Sequence, residues 1–260
     1  MRFTIFDVGH GFCAYAVSRN GNCILFDCGK KTDPPISPSQ QIKNGGCTGI
    51  EYLFITNFDE DHINDLPDLC SRLKLISLVR NKSISCEQLR RVKLEAGPIS
   101  PAMEKLLELH ATFTFPMANP PETPGISWKI FYNKYPADFT DTNNLSLVVF
   151  LSVGSTKFII PGDLEKPGWQ KLLSLDEFRK ELASIDIFIA SHHGREGGYC
   201  EDVFKFCRPD AVVFSDGPIE FGTQDMTNTY AQYCTGLTFN NETRKVLSTR
   251  KDGSLTWTID

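Results

Sequence analysis

Thr56-Asn57-Phe58-Asp59-Glu60-Asp61-His62 follows directly on the apolar run Tyr52-Leu53-Phe54-Ile55. A chain that leaves a buried strand into carboxylates, an amide and an imidazole has the makings of a metal site. Alternate residues of an extended segment face the same way. Asn57 and Asp59 can therefore point to one side, while Asp61 and His62 reach back from the turn that follows. A cluster of this kind is also what a solvated turn looks like, so the reading depends on what else the chain supplies.

Two later segments supply it. Lys157-Phe158-Ile159-Ile160-Pro161-Gly162-Asp163 is an apolar strand ending in Gly-Asp, and Ile185-Asp186-Ile187-Phe188-Ile189-Ala190 runs into Ser191-His192-His193-Gly194. The chain has five histidines, and three of them (His62, His192, His193) stand just past β-like apolar runs. Carboxylates and imidazoles gathered at several strand ends favour a hydrolytic metal centre.

The order of these segments resembles the metallo-β-lactamase superfamily and, within it, the hydrolase domain of ComEC-type DNA-uptake proteins. The family's opening Asp-Val-Gly-Gln-Gly-Asp reads here as Asp7-Val8-Gly9-His10-Gly11, and its Asp-x-Gly as Asp27-Cys28-Gly29. The loop His-x-Asp-x-Asp-His is matched by Asn57 to His62, and Asn-Asn-x-Ser-Leu-Val by Asn143 to Val148. Gly-Asp-Leu-Glu appears as Gly162 to Glu165, and His-His-Gly-Ser as His192 to Arg195. With the closing stretch Val246 to Trp257, expected to be a hairpin, the likeness covers nearly the whole chain. Four places depart from the pattern: Asn57 replaces the first histidine, Asn64-Asp65 a Gly-Gly, Arg195 a serine, and Gly222-Thr223-Gln224 a Gly-His-Pro.

The resemblance implies an α/β fold: an αββα four-layer sandwich, two mixed sheets with helices on both outer faces. The periodicity agrees. Residues 3–8, 12–18 and 22–27 read as a meander, and 76–79, 128–132, 145–152, 156–161, 185–190 and 211–215 as further strands. Helices are expected after Leu66, over 101–110 with Ser100 as cap, over 169–182 and over 200–207, the last with Cys200 and Cys207 on one apolar stripe. Residues 32–49 hold three prolines and three glycines and read as a long loop, and 116–125 as a proline-rich connection.

At 260 residues and 41% hydrophobic content the chain can bury a large core, and residues 1–260 are expected to form a single domain. No apolar run reaches the ~18 residues that would cross a bilayer, and nothing at the start reads as a signal peptide. A cytoplasmic protein without membrane insertion is the expectation, and DNA import by this chain alone is not. The nine cysteines include no Cys-x-x-Cys and read as buried thiols, with Cys13, Cys23 and Cys28 as neighbours across a sheet. Net charge is −5, which disfavours a coat of nucleic acid. Basic groups still occur locally, at Arg72, Lys74, Arg80 and Lys82, at Arg90, Arg91 and Lys93, and at Arg244, Lys245, Arg250 and Lys251. A solvated face is their ordinary explanation and a nucleic-acid track the rival. His110 ends a helix and reads as structural.

The expected metal residues are Asp59, Asp61, His62, Asp163, His192, Asn57 and Asn143. One ion would take Asp61, His62 and one of the paired histidines, with His192 preferred for its nearness to the strand end and His193 left open. Asp163 would bridge to a second ion held by Asp59 and by Asn57 with Asn143 or Asn144. Oxygen ligands suit Mn²⁺ or Mg²⁺ and imidazoles suit Zn²⁺, so one or two divalent ions of these kinds are expected. Such an ion lowers the pKa of bound water toward ~7 and so provides a nucleophile at cellular pH. Asp61, His193 and His10 are the candidate catalytic residues, the two histidines as proton donors to the leaving group. Asp7, Asp27 and Asn144 are expected to support the ligands from behind, while Arg195 and Lys166 are expected at the surface, with charge for a phosphate near the site as the rival reading. The expected function is a metal-dependent phosphodiesterase or nuclease acting on a nucleic acid or nucleotide, with protein partner subunits left open. The alternatives are a catalytically degenerate binding or regulatory subunit, and a hydrolase of a non-phosphate ester, thioester, lactone or amide.

Overall fold

Cys23-Ile24-Leu25-Phe26 is apolar at every position and buried at every position. A strand with that composition needs apolar partners on both faces. Cys23 and Leu25 face one cluster, with Tyr15, Leu53 and Leu78, while Ile24 and Phe26 face another, with Phe3, Ile5 and Phe54. The same alternation runs through Leu147 to Leu151 and Ala211 to Phe214, whose even-numbered residues enter a third cluster. Three apolar layers between two sheets and two sets of helices make a four-layer αββα sandwich.

The computed structural model describes residues 1–115, 117–218 and 222–260. Pro116, the first residue of the expected proline-rich connection, lies outside them. We label the strands of the two large sheets β1 (Arg2–Ile5), β2 (Ala14–Val17), β3 (Cys23–Phe26), β4 (Tyr52–Phe54), β5 (Leu78–Val79), β6 (Ile126–Tyr132), β7 (Leu147–Val153), β8 (Thr156–Ile160), β9 (Ile187–Ile189), β10 (Ala211–Phe214), β11 (Val246–Ser248) and β12 (Leu255–Thr258). The first sheet has the order β12-β1-β2-β3-β4-β5 and the second β6-β7-β8-β9-β10-β11. Each is antiparallel at one side and parallel at the other. The parallel strands β3, β4, β8, β9 and β10 end at the loops that begin with Asp27, Ile55, Pro161, Ala190 and Ser215. Functional side chains therefore collect at one end of the sandwich.

Helices α1 (Pro38–Asn44), α2 (Glu60–Ile63), α3 (Leu66–Arg72), α4 (Cys86–Ala96) and α5 (Pro101–Thr112) come from the first half of the chain, and α6 (Lys166–Leu173), α7 (Asp176–Leu182), α8 (Thr227–Ala231) and α9 (Thr249–Asp252) from the second. Ile42, Leu69, Leu89, Leu106 and Leu107 cover the first sheet, and Trp169, Leu172, Phe178 and Tyr230 the second. Fully burying such side chains stabilises by roughly 1.5–3 kcal/mol each before entropy is counted.

Five expectations need correction. The loop 32–49 contains α1, capped by Ser37 and opened by Pro38. The helix 169–182 is two helices, because Leu175 is extended and Asp176 and Glu177 start a new first turn. The helix 200–207 is a 3-10 segment, Glu201–Lys205, although Cys200 and Cys207 are buried. The closing stretch is no hairpin: β11 pairs with β10 in the second sheet and β12 with β1 in the first, with α9 between them. Helix α4 was not anticipated, although Ser85 and Gln88 form a complete capping box at its start.

All nine cysteines are free thiols. Cys23 lies against Cys47, at 2.9 Å, and the Tyr15 hydroxyl. His110 is structural: Arg80 donates to its carbonyl and to that of Phe113, satisfying the end of α5. No helix among the described residues is long and apolar enough to cross a membrane.

Candidate metal centre

Two glycines bring the loop after β4 to its place. A Cβ on Gly11 or on Gly29 would lie 2.4 or 2.3 Å from the Asp61 carbonyl oxygen, so only glycine lets both segments close on that loop. The loop is held besides by Phe12 N–H donating to Asp61 O and Cys28 N–H to His62 O.

Asp27, buried and in the left-handed region (φ 56°), accepts from Thr56 N–H at 2.7 Å and from the Thr56 hydroxyl. Its Oδ2 also lies 2.7 Å from His62 Nδ1. That bond places the Nδ1 proton on Asp27's side and turns Nε2 toward Asp163 Oδ1, 2.9 Å away. His193 is oriented the same way. Its Nδ1 donates to the Ser215 carbonyl at 3.0 Å, leaving Nε2 3.0 Å from Asp61 Oδ2 and 3.6 Å from Asp163 Oδ1. Among the described residues the buried Nε2 makes no well-aligned hydrogen bond and has these two carboxylates as its neighbours.

Asp61, His62, Asp163 and His193 thus each offer one ligand atom, all within 4.8 Å of one another. Two carboxylates and two imidazoles are donors of the kind and number that fit one divalent ion. Without an ion the charges settle among themselves. Burial works against the charged form of His62, but Asp163 and Asp27 overcome it and hold the ring's pKa well above the usual histidine range. His193 is likewise raised to about 9 against burial, by Asp163 and Asp61. The carboxyls of Asp61 and Asp163 are held well below the usual range by the two histidines despite their burial.

Of the paired histidines it is His193 that enters the group, which corrects the preference for His192. His192, His193 and Gly194 all have positive φ (52°, 56° and 78°), and this tight left-handed turn swings His193 inward. His192 points instead toward Glu165, with Nδ1 3.5 Å from Oε1. His10 stands at the rim, its ring 4.4 Å from that of His193 and its Nε2 3.4 Å from Asp61 Oδ2. Burial and the neighbouring His193 lower its pKa to about 4, so near neutral pH it is uncharged. Arg195 donates to it at 3.3 Å.

The residues expected around a second ion behave differently. Asn57 Oδ1 accepts from Asp59 N–H at 2.7 Å, which fixes its amide, and its Nδ2 donates to Asn143 Oδ1 and Ser146 Oγ, both at 3.2 Å. Asp59 Oδ1 is taken by the Lys93 ammonium and by the Thr142 hydroxyl at 2.9 Å. Asn144 accepts from Gly168 N–H and supports the start of α6. Asp7 pairs with Lys31 and accepts from Gly9 N–H, which turns the 7–9 loop. Asn64 accepts from Lys30 N–H, and buried Asp65 holds Ser37 and Ser39 at the start of α1, so this departure serves the scaffold. Lys166 is exposed at the start of α6, and Thr223 is exposed. Lys93, Thr142, Ser146 and Ser215 were missed by sequence reasoning; Ser85 and Gln88 were the signal for the helix that carries Lys93.

No protein-family model matches the chain. Zn²⁺-bound PqqB from Methylobacterium extorquens superposes with a TM-score of 0.53 at 10% identity, covering 100% of both chains. That coverage, with the sheet order and the strand-end donors, decides the fold. The chain has the metallo-β-lactamase fold. ComE operon protein 3 of Bacillus subtilis is 25% identical over 192 residues, 74% of this chain and 22% of that protein. Ribonuclease Z of Haloferax volcanii is 37% identical over 60 residues, 23% of this chain and 17% of that protein. The metallo-β-lactamase-fold chain therefore aligns with less than a quarter of either relative's length.

Proposed function

We propose that this chain is a metal-dependent hydrolase of phosphodiesters in DNA, RNA or a nucleotide. The observation that carries the reading is the group Asp61, His62, Asp163 and His193, with Nε2 of His193 buried between the carboxylates of Asp61 and Asp163. The likeness of a 60-residue stretch to a ribonuclease Z favours a phosphodiester over other esters.

A bound divalent ion supplies Lewis acidity and lowers the pKa of water. The protein does the rest. Asp27 and Ser215 fix the two imidazoles so that both Nε2 atoms face inward. His10 and Arg195 lie at the open side of the group. There the guanidinium can take a phosphate oxygen; it donates to His10 Nε2, which places the proton of the neutral ring on Nδ1.

Six of the eleven residues in the basic clusters are paired with carboxylates or buried, whereas Lys74, Lys82, Arg91, Lys245 and Lys251 are exposed. Arg72 pairs with Asp68, Arg90 with Glu104, Lys93 with Asp59, Arg244 with Asp252 and Arg250 with Asp216, and Arg80 is buried. Partial neutralisation of these clusters favours a nucleotide or a strand end over a long duplex, which would draw on many free cations at once. The site in a cytoplasmic chain, with or without partner subunits, is part of the same proposal.

The test is cleavage of bis(p-nitrophenyl) phosphate, single- and double-stranded DNA, and RNA by protein loaded with Mn²⁺ or Zn²⁺, beside a panel of thioesters and lactones. Metal-dependent phosphodiester cleavage that Arg195→Ala weakens is expected. Turnover of the carboxylic esters alone would move the substrate class. Metal binding with no turnover of anything would leave a binding subunit, the rival that Asn57 motivates.

A further inference from the structure

We propose that the Lys93 ammonium stands in for a second cation, so that the centre holds one ion rather than two. The inference rests on the reading of Asp61, His62, Asp163 and His193 as the metal group. It concerns the other half of the loop, where a second ion was expected.

Three of the oxygens that a second ion was expected to use are already engaged, Asp59 through one of its two carboxylate oxygens. The Asn57 amide oxygen is held by Asp59 N–H, the Asn143 amide oxygen by the Asn57 amide, and Asp59 Oδ1 by Lys93 and Thr142. Lys93 reaches Asp59 by construction. Its helix α4 is fixed at one end by the Ser85–Gln88 capping box, in the middle by buried Leu89, and against α5 by two 2.7 Å bonds from Arg90 to Glu104. The lysine side chain is 15% exposed, too enclosed for a solvated surface residue. An ammonium there neutralises Asp59 as a cation would, and repels a divalent ion from the same carboxylate. Lysine cannot ligate a metal while protonated, so the two occupants exclude each other.

Metal-free protein titrated with Mn²⁺ by calorimetry, with elemental analysis of the product after gel filtration, decides the matter without recourse to activity. Wild type and Lys93→Arg should bind one Mn²⁺ per chain. Lys93→Met, which keeps the stem and loses the charge, should bind two, the second more weakly; Lys93→Gln serves should the methionine variant not fold. Two ions in the wild type, or a single ion in both neutral variants, would overturn the proposal. No ion in any form would remove the metal reading beneath it as well, whereas one ion with no hydrolysis would sink only the proposed activity.

Discussion

Asn57 and Asp59 are separated from Asp61 and His62 by a single residue of one loop, yet the two pairs live in opposite circumstances. The first pair is satisfied from within the protein, by a backbone N–H, a serine, an asparagine, a threonine and a lysine. The second pair meets Asp163 and His193 across the sheets, leaving a nitrogen without a well-aligned hydrogen bond among the described residues and two imidazoles forced into charge by neighbouring carboxylates. Polar groups that satisfy one another are a scaffold, and polar groups crowded toward a common point await something. The difference says which half of the loop to interrogate.

The largest effect should come from removing the carboxylate common to both imidazoles. Asp163 touches His62 at 2.9 Å and His193 at 3.6 Å, and its N–H is anchored to Ser146. Asp163→Ala should lower Mn²⁺ or Zn²⁺ affinity by more than about 100-fold, beyond the 10–100-fold typical of an outer residue. Asp59→Ala should change it by less than about tenfold. Equal losses in the two, measured by competition with a fluorescent chelator, would erase the contrast between the halves.

Protonation offers a second contrast. The folded pKa of His193 is raised to about 9 from an unfolded value near ~6.5. Its pairing therefore stabilises the metal-free protein fully below ~6.5, and that contribution, on the order of 3 kcal/mol, is lost as pH rises through about 9. Asp61 and Asp163 are depressed, so their contribution is present above ~4 and lost as pH falls below it. Urea unfolding from pH 6 to 10 should show the alkaline loss in metal-free protein and its reversal on adding Mn²⁺. An ion arriving at pH 7 must displace protons from His62 and His193, so the calorimetric heat should depend on buffer ionisation enthalpy. A heat independent of buffer would mean the imidazoles are not the groups displaced.

Asp27 tests how far the scaffold reaches into the donor group. It accepts two bonds from Thr56 and holds His62 Nδ1. Asp27→Asn keeps the size but weakens the grip on the imidazole. A loss of 10–100-fold in metal affinity is expected, with the melting temperature as a check that the fold survives. No change in affinity would mean that the ring is positioned by packing alone.

The strands and the donors were legible because their signals are local. Apolar runs ending in Asp27, Asp61-His62, Gly162-Asp163 and His192-His193 put chemistry and topology in the same few residues. What the sequence did not disclose depends on distance. Lys93 lies 34 positions from Asp59, and nothing short-range distinguishes it from its neighbours Arg90 and Arg91, of which Arg90 pairs with Glu104. The ending of the chain misled because Val246–Ser248 and Leu255–Thr258 have the spacing of a hairpin, while their pairing partners, β10 and β1, lie far back in the sequence. The choice between the paired histidines failed on backbone conformation. Nearness to the strand end favoured His192, but positive φ at two successive histidines turns His193 toward the group instead.

That choice yields the smallest and most discriminating effect. Both positions require the left-handed region, which asparagine tolerates, so His→Asn at either site removes the imidazole with little backbone cost. His192 Nδ1 is 3.5 Å from Glu165 and is missing from the four-residue group, whereas His193 Nε2 is central to it. His192→Asn should alter metal affinity by less than about threefold and leave proton release unchanged, since an outlying residue of this kind contributes within about 0.5 kcal/mol. His193→Asn should cost more than about 100-fold, exceeding what an outer residue costs. Should the ranking invert, with His192→Asn the more damaging, the left-handed turn would have to rearrange on metal binding, and the partition of the loop into a satisfied half and a waiting half would hold only for the metal-free form.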